Sequence, residues 1–413
     1  MARVYIETYG CTLNQADSDI IRALLKENFE IVESAEASDV VVINTCTVKG
    51  VTENKILSRM KSLGKKLVVA GCMKEERIRT AAPIAPIVGP SSISKISLAV
   101  ADAIEGRTTV YKTPEGKDDL PKTLSAPIMR IPINEGCLSS CNFCQTKLAR
   151  PFLRSYRPRT IMEWIDKSTG YGAKEIQLTS MDSGAYGRDI RTDLVHLLDS
   201  ISRTEGDFWV RLGMINPDHA RAMLPDILRA FESGRFYRFL HVPVQTGSEK
   251  VCREMNRDHT VDDYVSIVQE TRSRIPETSI ATDVIVGYPT ETEDDFEQTL
   301  DLLKKTTPEV INLSKFSPRP GTKAKELRQL PSEEIKRRSK KTSELVKQIH
   351  GERRRALIGK RYKVLITEKS HDFKARNINY HQVVVKNYTG NLGDFAEVKI
   401  ADANNTSLFG EII

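Results

Sequence analysis

Apolar and polar positions alternate on two periods along the first hundred residues. Residues 4–8 form a short β-rich run that ends at Tyr9-Gly10-Cys11. A helical stripe follows, with Ile20, Ile21, Leu24 and Leu25 on one face. Residues 39–43 make the next apolar run and end at Asn44-Thr45-Cys46; after another helix, residues 66–70 end at Gly71-Cys72. Near-continuous apolar strands joined by helical crossovers predict a doubly wound parallel α/β domain over residues 1–108, covered on both faces.

Residues 109–127 are polar and aperiodic, with Pro114, Gly116, Pro121 and Pro127, and predict a linker. The alternation then resumes on a larger scale. Strands are expected over 129–133, 175–179, 209–213, 239–244, 280–286 and 310–316, separated by long helical patterns. Six βα units predict an open, partial (β/α)6 barrel within residues 128–347. Pro331-Ser332-Glu333-Glu334 opens a helix that runs through Lys336-Arg337-Arg338 and Lys340-Lys341 to Arg353-Arg354-Arg355. Short strands over 362–366, 382–385 and 395–400, parted by Asn and Gly turns, predict a small all-β module over 348–413.

Composition narrows the class. The 413 residues are 39% hydrophobic and 28% charged, a soluble globular balance with room for two or three domains. No apolar stretch approaches the roughly 18 residues of a membrane span, and the start reads as a strand rather than a secretion signal. The expected compartment is the cytoplasm. Seven cysteines, an odd number, then point to metal or catalysis rather than to disulfides. The net charge of +7 makes nucleic acid a reasonable partner.

Gly136-Cys137-Leu138-Ser139-Ser140-Cys141-Asn142-Phe143-Cys144 contains C-x3-C-x2-C. Three thiolates in so short a segment hold three irons of a 4Fe–4S cubane and leave the fourth open to a ligand. A zinc knuckle would add a second doublet or a histidine, and none lies nearby. Cys11, Cys46 and Cys72 each follow directly on a predicted parallel strand. The carboxyl ends of such strands line one edge, so these three converge and suit a second three-cysteine cluster. The bland alternative is three unrelated core thiols. Cys252 fits neither triad and reads as a structural thiol.

The combined pattern closely resembles the methylthiotransferases of the radical S-adenosylmethionine class, over nearly the whole chain. The resemblance rests on Tyr9-Gly10-Cys11-Thr12-Leu13-Asn14, Asn44-Thr45-Cys46-Thr47-Val48, Val69-Ala70-Gly71-Cys72 and the C-x3-C-x2-C segment with Phe143 before its third cysteine. It extends to His241-Val242-Pro243-Val244-Gln245-Thr246-Gly247-Ser248, with Thr246 where Ser is usual, to Asp283–Thr292 and to Phe316–Thr322. The C-terminal module is similar to the family's RNA-binding TRAM barrel, and together with the basic helix before it suits an RNA backbone, whose phosphates Lys and Arg would neutralise. Leu178–Gly187, Arg211–Pro217 and Gln145–Arg150 resemble the archaeal and eukaryotic branch that acts on threonylcarbamoyladenosine, although Lys is commoner where Gln145 stands.

This resemblance implies two 4Fe–4S clusters, one on Cys137, Cys141 and Cys144 and an auxiliary one on Cys11, Cys46 and Cys72. It implies two S-adenosylmethionine molecules per turnover, one for radical formation and one as methyl donor. The implied product is the 2-methylthio derivative of threonylcarbamoyladenosine at position 37, in the anticodon stem-loop of tRNA. Asp182 and Arg211 are the expected contacts to the polar ends of S-adenosylmethionine. Gln245 and Asp283 would orient the cofactor or the base, Phe143 would border the cofactor, and Gly287 would allow close approach to the adenine. A protein reductant, a monomeric state and no membrane are expected. Related alternatives are isopentenyladenosine in tRNA or a ribosomal-protein aspartate as substrate, or a non-enzymatic iron–sulphur RNA-binding protein.

Overall fold

The computed structural model describes residues 1–48 and 50–413. Its N-terminal sheet is parallel throughout, with strands β1 (Arg3–Thr8), β2 (Glu30–Val32), β3 (Val40–Thr45), β4 (Lys66–Gly71), β5 (Ile87–Val88) and β6 (Val110–Tyr111) in the order β2-β1-β3-β4-β5-β6. Every residue of β3 is buried. Val40 and Val42 pack with Ile20, Ile21 and Leu25 on one face, while Val41 and Ile43 meet Ile56, Leu57 and Met60 on the other. A strand sandwiched between two helical layers has no solvent face to mark with polar residues, which is why its sequence reads as one apolar run. The expected linker is partly absorbed here: Val110 pairs with Ile87 as the sheet's edge.

Six further parallel strands carry the second domain: β7 (Ile128–Pro132), β10 (Glu175–Thr179), β11 (Trp209–Arg211), β12 (Phe239–His241), β13 (Ser279–Val286) and β14 (Val310–Lys315). A two-stranded ribbon, β8 (Asn134–Glu135) with β9 (Arg154–Ser155), sits between β7 and β10 in sequence. The six strands form two three-stranded sheets, β7-β10-β11 and β12-β13-β14, rather than one continuous ladder. An isolated parallel bridge, Val210 with Phe236, links them, and beside β12 the Arg238 amide donates to the Ile378 carbonyl of the C-terminal domain at 2.8 Å.

The C-terminal domain is a closed barrel of β15 (Arg361–Lys369), β16 (Phe373–Asn377), β17 (Gln382–Val385), β18 (Phe395–Ala403) and β19 (Leu408–Ile412). Its Tyr380 and Phe395 pack against Trp209, Tyr237 and Phe239 at the starts of β11 and β12. The third domain thus seals the amino ends of the barrel strands and leaves their carboxyl ends to the first. Tyr380 stands edge-on to Tyr237 with ring centroids 4.7 Å apart, and its hydroxyl donates to Glu175 Oε1 at 3.1 Å. Tyr380→Ala is expected to cost about 3 kcal/mol, and Tyr380→Phe about 1 kcal/mol, in denaturant unfolding of the full chain.

The helix Ser332–Arg355 runs through the boundary expected near residue 348. Its basic run differs in role from the expectation. Lys336 pairs with Glu333, Arg337 with Glu293 and Glu334, Lys341 with Glu297 and Arg353 with Glu309. Arg338 is buried against Glu291. Much of this charge holds the helix to the second domain rather than facing a polyanion. Free basic character lies instead on the barrel, where Lys369 stands 4.9 Å from the Phe373 ring centroid and Lys386 stands 5.8 Å from that of Phe409. Among the described residues no helix is long and apolar enough to cross a membrane.

Candidate functional site between two cysteine triads

The strand order of the first sheet reverses between β1 and β3, which makes a crevice at their carboxyl ends. Cys11 follows β1, Cys46 follows β3, and Cys72 follows β4, the next strand along. Two of these cysteines are preceded by glycines whose backbones L side chains rarely adopt, Gly10 at φ +117° and Gly71 at φ +99°. A Cβ on Gly10 would stand 2.6 Å from Cys46 Cβ, and one on Gly71 2.5 Å from the Thr45 carbonyl. Both would fill the space where the triad meets. Asn14 ties the crevice together by donating to the Thr45 carbonyl at 2.6 Å and the Tyr9 carbonyl at 3.1 Å.

The second triad, Cys137, Cys141 and Cys144, lies on the loop between β8 and β9 and is half-buried. Two side chains outside the motif hold it. Arg257 Nη1 donates to Cys141 Sγ at 3.1 Å, and Asn216 Nδ2 stands 3.8 Å from Cys137 Sγ. Arg257 also donates to Asn216 Oδ1 at 3.0 Å, so the two act as one unit.

All seven cysteines are free thiols. Burial pushes Cys46 up to about 11 and raises Cys72, Cys137, Cys141 and Cys144 above the ordinary thiol range. Within each triad the thiols also raise one another, a mark of their proximity. Such thiols stay protonated at neutral pH unless a metal supplies the compensating charge. Each set offers three thiols, the donors that iron–sulphur clusters take.

The segment after Cys144 joins the triads. Thr47, next to Cys46, donates to Gln145 Oε1 at 2.7 Å, and Arg150 Nε donates to Cys72 Sγ at 3.4 Å. Arg319 Nη2 donates to the Thr47 carbonyl at 2.7 Å and pairs with Glu53. Between the domains lies a cavity of about 910 Å³, bounded by Thr47, Val48 and Asn54 on one side and by Phe143, Cys144 and Phe316 on the other. A smaller cavity of about 380 Å³ reaches Cys72, Gln145 and Arg150.

The other expected site residues divide evenly. Phe143, Gln245 and Asp283 line the large cavity. Gln245 sits at φ +72° with its backbone N–H donating to the Asp283 carbonyl at 2.9 Å, and the Asp283 carboxylate accepts from Asn312 at 2.8 Å and His241 at 3.2 Å. Asp182 is fully buried, and its carboxylate accepts from Gly184, Asn216 and His219. Arg211 lies over the rings of Phe239 and Tyr380, 5.2 Å from each centroid, on the barrel floor. At Gly287 the close approach is made by Ile335, 2.7 Å from where a Cβ would stand. Cys252 is buried and donates to the His259 carbonyl at 3.2 Å, as a structural thiol does.

Family models match the chain in three places: the radical SAM superfamily over residues 131–303, the "Uncharacterized protein family UPF0004" over 3–88 and the TRAM domain over 355–413. A probable threonylcarbamoyladenosine tRNA methylthiotransferase of Pyrococcus horikoshii is 40% identical over 433 residues, covering 100% of both chains. The corresponding protein of Archaeoglobus fulgidus is 40% identical over 99% of this chain and 98% of its own. The Drosophila melanogaster threonylcarbamoyladenosine tRNA methylthiotransferase is 35% identical over 100% of this chain and 78% of its own. Among solved structures, the radical S-adenosylmethionine methyltransferase TsrM of Kitasatospora setae superposes with a TM-score of 0.57 at 13% identity, over 79% of this chain and 75% of that one. That likeness is one of fold.

Proposed function

This chain belongs to the threonylcarbamoyladenosine tRNA methylthiotransferase family, and from that premise we propose how it works. It adds a methylthio group to C2 of threonylcarbamoyladenosine at position 37 of tRNA. It does so with one 4Fe–4S cluster on Cys137, Cys141 and Cys144 and a second on Cys11, Cys46 and Cys72. The observation that carries this reading is the meeting of both triads at one interdomain junction, joined by the segment from Cys144 to Arg150.

A cluster held by Cys137, Cys141 and Cys144, together with S-adenosylmethionine, would supply a carbon-centred radical able to take hydrogen from a C–H bond that no base can ionise. The protein's own residues set the geometry. Arg257 and Asn216 fix two of the reactive cluster's sulphurs, with Asp182 fixing Asn216 from behind. Phe143 and Phe316 give the large cavity an apolar wall, while Gln245, Asp283 and Asn312 offer hydrogen-bonding groups across it. The 910 Å³ space is in the size range of small-molecule sites, with room for a modified adenosine beside a cofactor.

The target base must leave the anticodon-loop stack to enter, as bases do wherever enzymes act on their edges. Lysines beside Phe373 and Phe409 on the C-terminal barrel suit a single-stranded loop, with cations for phosphates and rings for bases. Binding through them weakens as salt rises. In this reading the chain works as a monomer in the cytoplasm, with a separate protein as reductant. Mass spectrometry of tRNA nucleosides tests the assignment. A deletion strain loses 2-methylthio-threonylcarbamoyladenosine and accumulates its unthiolated precursor. Unchanged levels would sink the proposal.

A further inference from the structure

Arg150 has a side chain 1% exposed and three separate partners. Its guanidinium offers five N–H donors in a fixed fork. Nη1 meets Glu135, Nη2 meets Asp17, and Nε is directed at Cys72 Sγ at 3.4 Å. Lys117, also buried, bridges the same two carboxylates, at 3.0 Å to Asp17 and 2.9 Å to Glu135. Two cations and two carboxylates therefore form a closed neutral tetrad. Its members come from the first helix (Thr12–Lys26), the segment between the domains, β8 and the loop that follows Cys144.

A buried ion pair alone is weak grounds for stability, because desolvation consumes most of its attraction. The tetrad gains a purpose from the N–H it leaves over. With both carboxylates already shared with Lys117, Arg150 keeps Nε for the sulphur. Hydrogen bonds to cysteine sulphur and the net charge nearby are the main protein levers on the potential of an iron–sulphur cluster.

We propose that Arg150 is a positioning residue for the auxiliary cluster: it holds the Cys72 thiolate by a charge-assisted N–H···S bond and so raises that cluster's reduction potential. The inference rests on the two-cluster reading above. It gives the auxiliary site a group supplied by the reactive site's own loop, six positions beyond Cys144. Any shift of that loop moves the donor relative to the sulphur, so the electronic state of one triad depends on the conformation of the other. The same contact orders Cys72, itself a buried thiol.

The test uses full-length protein in which Cys137, Cys141 and Cys144 are alanine, so that only the auxiliary cluster is present. Arg150→Lys keeps the charge and an ion pair but cannot make all three contacts. Arg150→Met with Glu135→Gln removes one cation and one carboxylate together, which leaves the net buried charge unchanged. Potentiometric titration followed by electron paramagnetic resonance is expected to place the cluster at lower potential in both variants. Release of iron to a chelator is expected to be several-fold faster. A wild-type potential in both variants overturns the proposal and leaves Arg150 as a purely structural ion-pair partner. Absence of any cluster in the parent protein, with Arg150 intact, overturns instead the two-cluster reading on which the proposal stands.

Discussion

Cys141→Ala is expected to abolish formation of 5′-deoxyadenosine from S-adenosylmethionine under reducing conditions, a loss of roughly 10⁴-fold or more, as when a group that carries the chemistry is removed. Cys137→Ala and Cys144→Ala should do the same. Each thiol is one of only three protein ligands, so losing one leaves its iron without a protein anchor. The effect is compounded at Cys141, whose sulphur is the acceptor for Arg257 Nη1 at 3.1 Å. Without it, a guanidinium that also steadies Asn216 loses a partner in a half-enclosed site. Cys252→Ala is the matched control. That thiol is more deeply buried than Cys141, and its partner is the His259 carbonyl rather than a group of the site. It should cost about 1 kcal/mol of stability and leave cleavage intact. Chromatographic assay of 5′-deoxyadenosine, with iron content measured on the same samples, separates the two outcomes. Normal cleavage by Cys141→Ala would remove the triad from the reaction.

The triads were legible because each depends on short-range signals. Three thiols within one loop need no fold to be recognised, and a Gly-Cys step at the end of an apolar run marks both the strand's end and the turn into the crevice. The parallel sheets were legible for the same reason, since a strand buried on both faces writes itself as an unbroken apolar run. Two strands of the C-terminal barrel escaped notice. In β16 the inward positions are Phe373, Ala375 and the polar Asn377, and β19 carries Gly410 in its middle, so neither gives a strong alternating apolar signal. The basic helix misled because charge in sequence does not reveal the partner opposite it. Glu291, Glu293 and Glu297 lie 44 to 47 positions away and neutralise much of it. The direction of Asp182 and Arg211, polar groups at strand ends, is fixed by His219, Asn216 and Tyr380, which no local pattern ties to them. The Arg150 tetrad is the extreme case. Its Arg150–Asp17 contact spans 133 positions, and only the closing of one domain on another creates it.

A variant with Cys11, Cys46 and Cys72 all replaced by alanine should separate the two halves of the reaction. Iron is expected to fall from about eight to about four per chain, one cubane's worth. Formation of 5′-deoxyadenosine should persist, while 2-methylthio-threonylcarbamoyladenosine should be undetectable in tRNA incubated with the variant. The separation follows from where each triad's supports come from. Asn216 and Arg257, which hold the reactive sulphurs, belong to the second domain, as does Asp182 behind them. None touches Cys11, Cys46 or Cys72. The bridge between the domains also survives, because Thr47 reaches Gln145 through its own hydroxyl and Arg319 reaches the Thr47 carbonyl. Arg150 loses only its sulphur acceptor and keeps Asp17 and Glu135, so no unpaired charge is left buried. The radical-forming half therefore retains its architecture, while the half that holds transferable sulphur is gone. Retention of all the iron would place the second cluster elsewhere. Loss of 5′-deoxyadenosine along with the product would show that the crevice beside β1, β3 and β4 supports the reactive cluster itself rather than serving the base with sulphur.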